Sequence, residues 1–261
     1  MGEKWSTARR MMLAGGATAL AMWLLLYAPS PYVVYEPGIA VPVESMVVLE
    51  SANSDEEAPG EGDFVLTAVR LTAPNIWGVI KAGVDRNMDV RWKRQVFGGK
   101  TKNEYVERLN DIMSGSQNTA LQAAYNYSKI KYRVENGSVI PEQTADAITI
   151  KANEIGGPSA GLVFALQAIE LLEQDDLSRG LKIAATGTID AVGNVGAIGG
   201  VKQKTVSVTG YGADLFIVPK GNEKEARRTA KRLNGDTVIV GVSSLAEAVQ
   251  AISAFALERT G

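Results

Sequence analysis

The residues most readily read as chemistry are Gly156-Gly157-Pro158-Ser159-Ala160-Gly161. A β-rich run, Ala147-Ile148-Thr149-Ile150, leads into paired glycines, a proline and a lone serine that opens a stretch with helical spacing. Ser159 is therefore expected at the mouth of a helix. Backbone N–H groups are unpaired there and the helix dipole favours negative charge, so the position suits an oxyanion or a phosphate. Glycines let the backbone approach a ligand closely. The same residues also read as an ordinary helix start, with Pro158 just inside the first turn and Ser159 as a cap.

A serine hydroxyl needs a base to become a nucleophile, and the chain has no histidine and no cysteine. Ser-His-Asp and Cys-His machinery are thereby excluded, as is a zinc site of the usual composition. Lysine is the remaining base, provided its pKa falls from about 10.4 to near neutrality through desolvation or the positive end of a helix. Gly199-Gly200-Val201-Lys202-Gln203-Lys204 supplies two candidates. Lys202 directly follows the glycines at an expected helix start; Lys204 is its rival, two positions on and therefore pointing away from it. Pro158 has no N–H, so the Ser159 N–H with that of Gly156 or Gly157 is the expected oxyanion donor set. No cofactor and no metal are expected.

These two motifs, in this order and at this spacing, resemble the serine-lysine signature of Lon-type peptidases. Ala185-Thr186-Gly187-Thr188-Ile189 and Ala213-Asp214-Leu215-Phe216-Ile217-Val218-Pro219 also fall where that family has strands. The resemblance covers roughly residues 145–250 and implies an α/β layered Lon catalytic-domain-like fold. It further implies Ser159 as nucleophile, Lys202 as general base and Thr186 as a support for the lysine head. A polypeptide substrate and assembly into a hexameric ring are what it implies about partners. Gly156 stands where ATP-dependent members carry an acidic residue, which is more similar to the membrane-anchored Lon-like peptidases that bear a PDZ module. Only residues 133–143 fill the place of that module, too short a stretch for such a domain, so it is expected to be missing. No other ATPase motif accompanies the signature, and ATP-independent hydrolysis is the expectation.

The elements that must position these residues follow from the rest of the chain. At 261 residues and 46% hydrophobic content there is enough apolar material for one sizeable core with appendages. A net charge of −2, dispersed in sign, gives no basic footprint for nucleic acid. Lys4, Arg9 and Arg10 precede an uncharged run over residues 11–28, long enough to span a bilayer, and neither lysine nor arginine recurs before Arg70. The positive-inside rule then puts the N-terminus in the cytoplasm and everything after residue 30 outside. A cleaved signal peptide is the competing reading, opposed by the prolines of Ala28-Pro29-Ser30-Pro31.

The expected organisation is a short cytoplasmic N-terminus (1–10), a transmembrane anchor (11–30), a β-rich leader (31–72), a helical region (73–135) and a Lon-like proteolytic domain (136–261). In the leader, short strands are expected on either side of a turn at Glu36-Pro37-Gly38, followed by a solvated acidic loop over 51–63. Gly98-Gly99-Lys100-Thr101 imitates the end of a nucleotide-binding loop, but Arg94 stands where the first glycine belongs and no hydrophobic strand precedes it. The catalytic part is expected as strand 147–153, helix 158–173, strand 181–189, glycine-rich hairpin 190–200, helix 201–212, strand 214–218, helix 223–233, strand 237–241 and helix 244–258. Asn222 and Ser244 are the expected caps of the last two helices. Two other functions compete: a membrane-held scaffold without catalysis, and a small-molecule kinase or phosphate binder built on the same glycine-serine loop.

Overall fold

The computed structural model describes residues 2–50, 62–152 and 157–260, so Gly156 and most of the expected acidic loop lie outside the described residues. The chain forms two compact units, residues 1–36 with 70–100 and residues 37–69 with 101–261. Elements are numbered in chain order.

The smaller unit opens on α1 (Gly2–Tyr27), which includes the only helix span among the described residues long and apolar enough to cross a membrane, Thr7–Tyr27. The first residues of β1 (Tyr32–Pro42) pair antiparallel with β4 (Asp89–Trp92), from Tyr32 opposite Trp92 to Tyr35 opposite Asp89. Helices α2 (Ile76–Val84) and α3 (Lys93–Phe97) complete this unit. The stretch expected to be wholly helical is thus interrupted by a strand. Alternation in Asp89-Val90-Arg91-Trp92 was the available signal, too short to outweigh the flanking helical spacing.

The larger unit is built on β3 (Asp63–Thr72), β8 (Lys182–Ala185), β11 (Leu215–Pro219) and β12 (Val238–Val242), mutually parallel and ordered β12-β11-β8-β3, with β1 beyond β3. A parallel sheet covered on both faces needs apolar residues at every position, and Leu215-Phe216-Ile217-Val218-Pro219 is buried throughout. Phe64, Leu66, Ile183, Ala185, Leu215 and Ile217 point to one face, in one core with residues of α4 (Lys102–Tyr127), α5 (Gly161–Glu173) and α8 (Leu245–Thr260). Their neighbours Val65, Ala184, Phe216 and Val218 point to the other, against α6 (Val201–Tyr211) and α7 (Glu223–Leu233). This period of two sets where each later side chain can reach. Shorter pairs complete the unit: β2 (Val47–Leu49) with β7 (Ile148–Ile150), β5 (Tyr132–Glu135) with β6 (Ser138–Pro141), and β9 (Thr188–Ile189) with β10 (Val195–Gly196).

Several boundaries differ from the sequence reading for identifiable reasons. β1 runs straight through Glu36-Pro37-Gly38, and the chain instead turns after it, where the Met46 N–H reaches the Val43 carbonyl at 2.8 Å. Gly98, at φ 62°, ends α3 by donating to the Arg94 carbonyl, while Thr101 caps α4 in a reciprocal box with Glu104. The apparent nucleotide motif is therefore a helix junction. Asn222 does not cap α7 with its side chain; its amide spans both backbone groups of Ile198 instead, at 2.9 and 3.0 Å. Ser244 accepts from the Glu247 N–H as expected, but the Glu247 carboxylate reaches back to the N–H of Ser243. Finally, the expected strand 181–189 is broken at Thr186-Gly187, and that break shapes the site.

Candidate active site

Ser159 lies on a single 3₁₀ turn, Pro158–Ala160, immediately before α5. The preceding Gly157 has φ 95° and ψ 157°, a region that side-chain-bearing residues avoid, so the turn depends on glycine there. The turn is held from two sides. From α4, the Leu109 carbonyl accepts the Gly157 N–H at 3.2 Å and the Ser116 hydroxyl donates to the Pro158 carbonyl at 3.1 Å. From the broken strand, the Gly187 N–H and the Thr186 hydroxyl both donate to the Ser159 carbonyl, at 2.9 and 3.0 Å, while the Leu162 N–H returns to the Gly187 carbonyl at 3.1 Å. A Cβ on Gly161 would lie 2.9 Å from both Ile189 and Ser116 side chains, so the close approach of α5 to these neighbours also needs glycine.

The lysine that meets Ser159 is Lys204, not Lys202. Lys204 Nζ is 2.6 Å from Ser159 Oγ and 2.8 Å from Thr186 Oγ1. Helix geometry makes the choice: Val201, Lys204, Thr205 and Val208 form one buried stripe of α6, with Gln203 buried on another side, whereas Lys202 is only partly buried and off that stripe. That stripe was visible in the sequence, because Val201 and Val208 at i−3 and i+4 mark the sheet-facing side on which Lys204 alone of the two lysines falls. Gly200, at φ 69°, starts the helix, and a Cβ there would meet the Val69 side chain at 2.7 Å.

Lys204 is 2% exposed, and burial lowers its pKa from 10.5 to about 7. A charged amine is costly in such surroundings, so a large neutral fraction exists near neutral pH. The Thr186 hydroxyl lies between Lys204 and Ser159, accepting from Lys204 Nζ and donating to the Ser159 carbonyl. The Gly157 N–H, expected as an oxyanion donor, is directed to Leu109 instead. Leu109 and Ser116, which hold the Ser159 turn, had no signal in the sequence beyond a helical stripe. No group of histidine, cysteine, aspartate and glutamate side chains suited to a metal occurs among the described residues.

A serine hydroxyl against a buried lysine amine, at one end of a parallel sheet with helices on both faces, defines an α/β domain with a serine-lysine pair. The particular family follows from comparison: the chain belongs to the Lon protease (S16) C-terminal proteolytic domain family, which matches residues 91–254. It is similar to the Lon protease of Clostridium acetobutylicum, 29% identical over 143 residues that make up 54% of this chain and 18% of that protein. The Lon protease of Mesomycoplasma hyopneumoniae is 36% identical over 119 residues, 44% of this chain and 13% of that one. That of Bacillus thuringiensis is 31% identical over 160 residues, 59% of this chain and 19% of its own length. The chain thus matches less than a fifth of each relative's length.

Proposed function

We propose that this chain is a serine endopeptidase that hydrolyses polypeptides with Ser159 as nucleophile and Lys204 as general base. The observation that carries the reading is the 2.6 Å approach of a buried amine to the Ser159 hydroxyl. Neutral Lys204 takes the Oγ proton as Oγ bonds to the scissile carbonyl carbon, giving a tetrahedral oxyanion and an ammonium. The ammonium returns that proton to the leaving amine as the C–N bond breaks, leaving an ester on Ser159. Water then attacks the ester, Lys204 taking one of its protons and handing it to Ser159 Oγ as the acid departs. Thr186 is a positioning residue whose oxygen accepts from the lysine head, stabilising the charged form that each step produces.

The N-terminal span is the anchor in this reading, with residues 1–10 in the cytoplasm and the catalytic unit on the other side. Its support is the basic residues Lys4, Arg9 and Arg10 at the N-terminal end of α1, before the uncharged run over residues 11–28, and the absence of lysine and arginine between that run and Arg70. A fluorophosphonate probe and a casein assay test the peptidase reading. Wild type is expected to be labelled and active and Ser159→Ala neither; casein hydrolysis persisting in Ser159→Ala overturns it.

A further inference from the structure

Apart from the apolar span of α1, the smaller unit displays a second apolar feature that the catalytic reading does not use. Helix α2 turns Ile76, Trp77, Ile80 and Val84 outward along one face, with Trp77 41%, Ile80 47% and Val84 81% exposed. Its inner side, around Ala82, is apolar too. A nine-residue helix with apolar residues on its outer as well as its inner side, and Lys81 as its one charged residue, is expected against other apolar material rather than against water.

Its location narrows the choice. The Asn75 amide, at the N-cap of α2, donates to the Leu26 carbonyl near the end of α1, and Pro29 bridges to Asn75. The Ser30 hydroxyl donates to the Pro74 carbonyl at 2.6 Å, and Lys93 Nζ to the Ser30 carbonyl at 2.6 Å. The start of α2 is therefore fastened at the level where the apolar span ends. Aromatic rings gather at that level: Trp23 stacks on Tyr27 at the end of α1, Tyr32 lies 4.3 Å from half-exposed Trp92, and Trp77 is on α2. Lys81 Nζ lies 5.4 Å from the Trp77 ring centroid, so the charge of α2 sits over an aromatic face. Residues 76–100 hold six basic side chains (Lys81, Arg86, Arg91, Lys93, Arg94, Lys100) against two acidic ones, Asp85 and Asp89, in a chain whose net charge is −2. Aromatic rings at headgroup depth and an apolar helix face flanked by lysine and arginine are what a lipid interface takes.

We infer that α2 lies in the headgroup layer of the bilayer, with Ile76, Trp77, Ile80 and Val84 toward the acyl chains, as a second membrane contact beside α1. The inference rests on the anchoring reading, and the test separates the two. Because the chain has no cysteine, single cysteines can be placed and labelled in the full-length protein with a solvent-sensitive fluorophore. Leu20→Cys reports on α1, Ile80→Cys and Val84→Cys on α2, and Lys224→Cys on an exposed site of α7 as the water reference. In phosphatidylcholine vesicles containing a minority of phosphatidylglycerol, the labels at 20, 80 and 84 are all expected to be blue-shifted. Their acrylamide quenching constants are expected to fall severalfold below that at 224. Protection at 20 with labels at 80 and 84 as quenchable as 224 overturns the inference while the anchor stands. Exposure at 20 defeats the anchoring reading and the inference with it. Protection at 80 and 84 that appears only as the protein-to-lipid ratio is raised assigns the face to a second copy, and also overturns it.

Discussion

Exchanging either lysine for methionine separates the two candidate bases, and the structure sets the size of the difference. Lys204 has its pKa lowered by burial from 10.5 to about 7. At pH 7 that raises its neutral fraction from about three in ten thousand to about one half, a gain on the order of a thousandfold in competent base. Lys204→Met is therefore expected to slow fluorophosphonate labelling of Ser159 by on the order of 10³, within the range removal of a general base produces. Lys204→Arg should be as inactive, because a guanidinium stays charged. Lys202→Met, altering a side chain off the buried stripe, should stay within about twofold of wild type. The wild-type labelling rate should climb about tenfold per pH unit below pH 7 and level off above it. Circular dichroism on each variant checks that loss of rate is not loss of fold. Labelling that survives in Lys204→Met but vanishes in Lys202→Met, or a rate still climbing at pH 9, would refute the reasoning.

Thr186→Val keeps the shape but removes the acceptor for the lysine ammonium and the donor to the Ser159 carbonyl. It should lower kcat about 10- to 100-fold with little change in KM, move the acid limb of the pH profile to lower pH, and be largely rescued by Thr186→Ser. Gly157→Ala must hold alanine at φ 95°, ψ 157°, so differential scanning calorimetry should show a loss of about 1–3 kcal/mol alongside slower labelling. Stability against pH should dip near pH 7. Burial raises the pKa of Glu170 to about 7, although the Ser178 N–H and the Gln167 amide donate to its carboxylate. The native state then binds protons that the unfolded state has released, so stability falls as pH rises from about 4.5 to about 7. Lys204 has the opposite sign: the unfolded state holds its proton between about 7 and 10.5 where the native state does not, so stability rises across that window. Urea titrations should show Glu170→Gln flattening the acid side of the dip and Lys204→Met the alkaline side.

Much of this was legible before any coordinates, because it depends on residue type and local spacing. Absence of histidine and cysteine left lysine as the candidate base, and the run from glycines through proline to Ser159 marked a candidate nucleophile at a helix start. Strands β11 and β12 and helix α7 follow from apolar runs and turn residues that act over a few positions. What tertiary structure decided was which side chain reaches which partner. Lys202 and Lys204 are equivalent by type and separated by only two positions, yet α6 docks through Val201 and Val208, and that docking carries Lys204 into the sheet and leaves Lys202 at the margin. Likewise the fate of the Gly157 N–H depends on the Leu109 carbonyl, far off in the chain and brought alongside only when α4 packs on α5. The depressed basicity of Lys204 has the same origin: desolvation belongs to the surroundings of an atom, and those are assembled from strands and helices that no local reading joins.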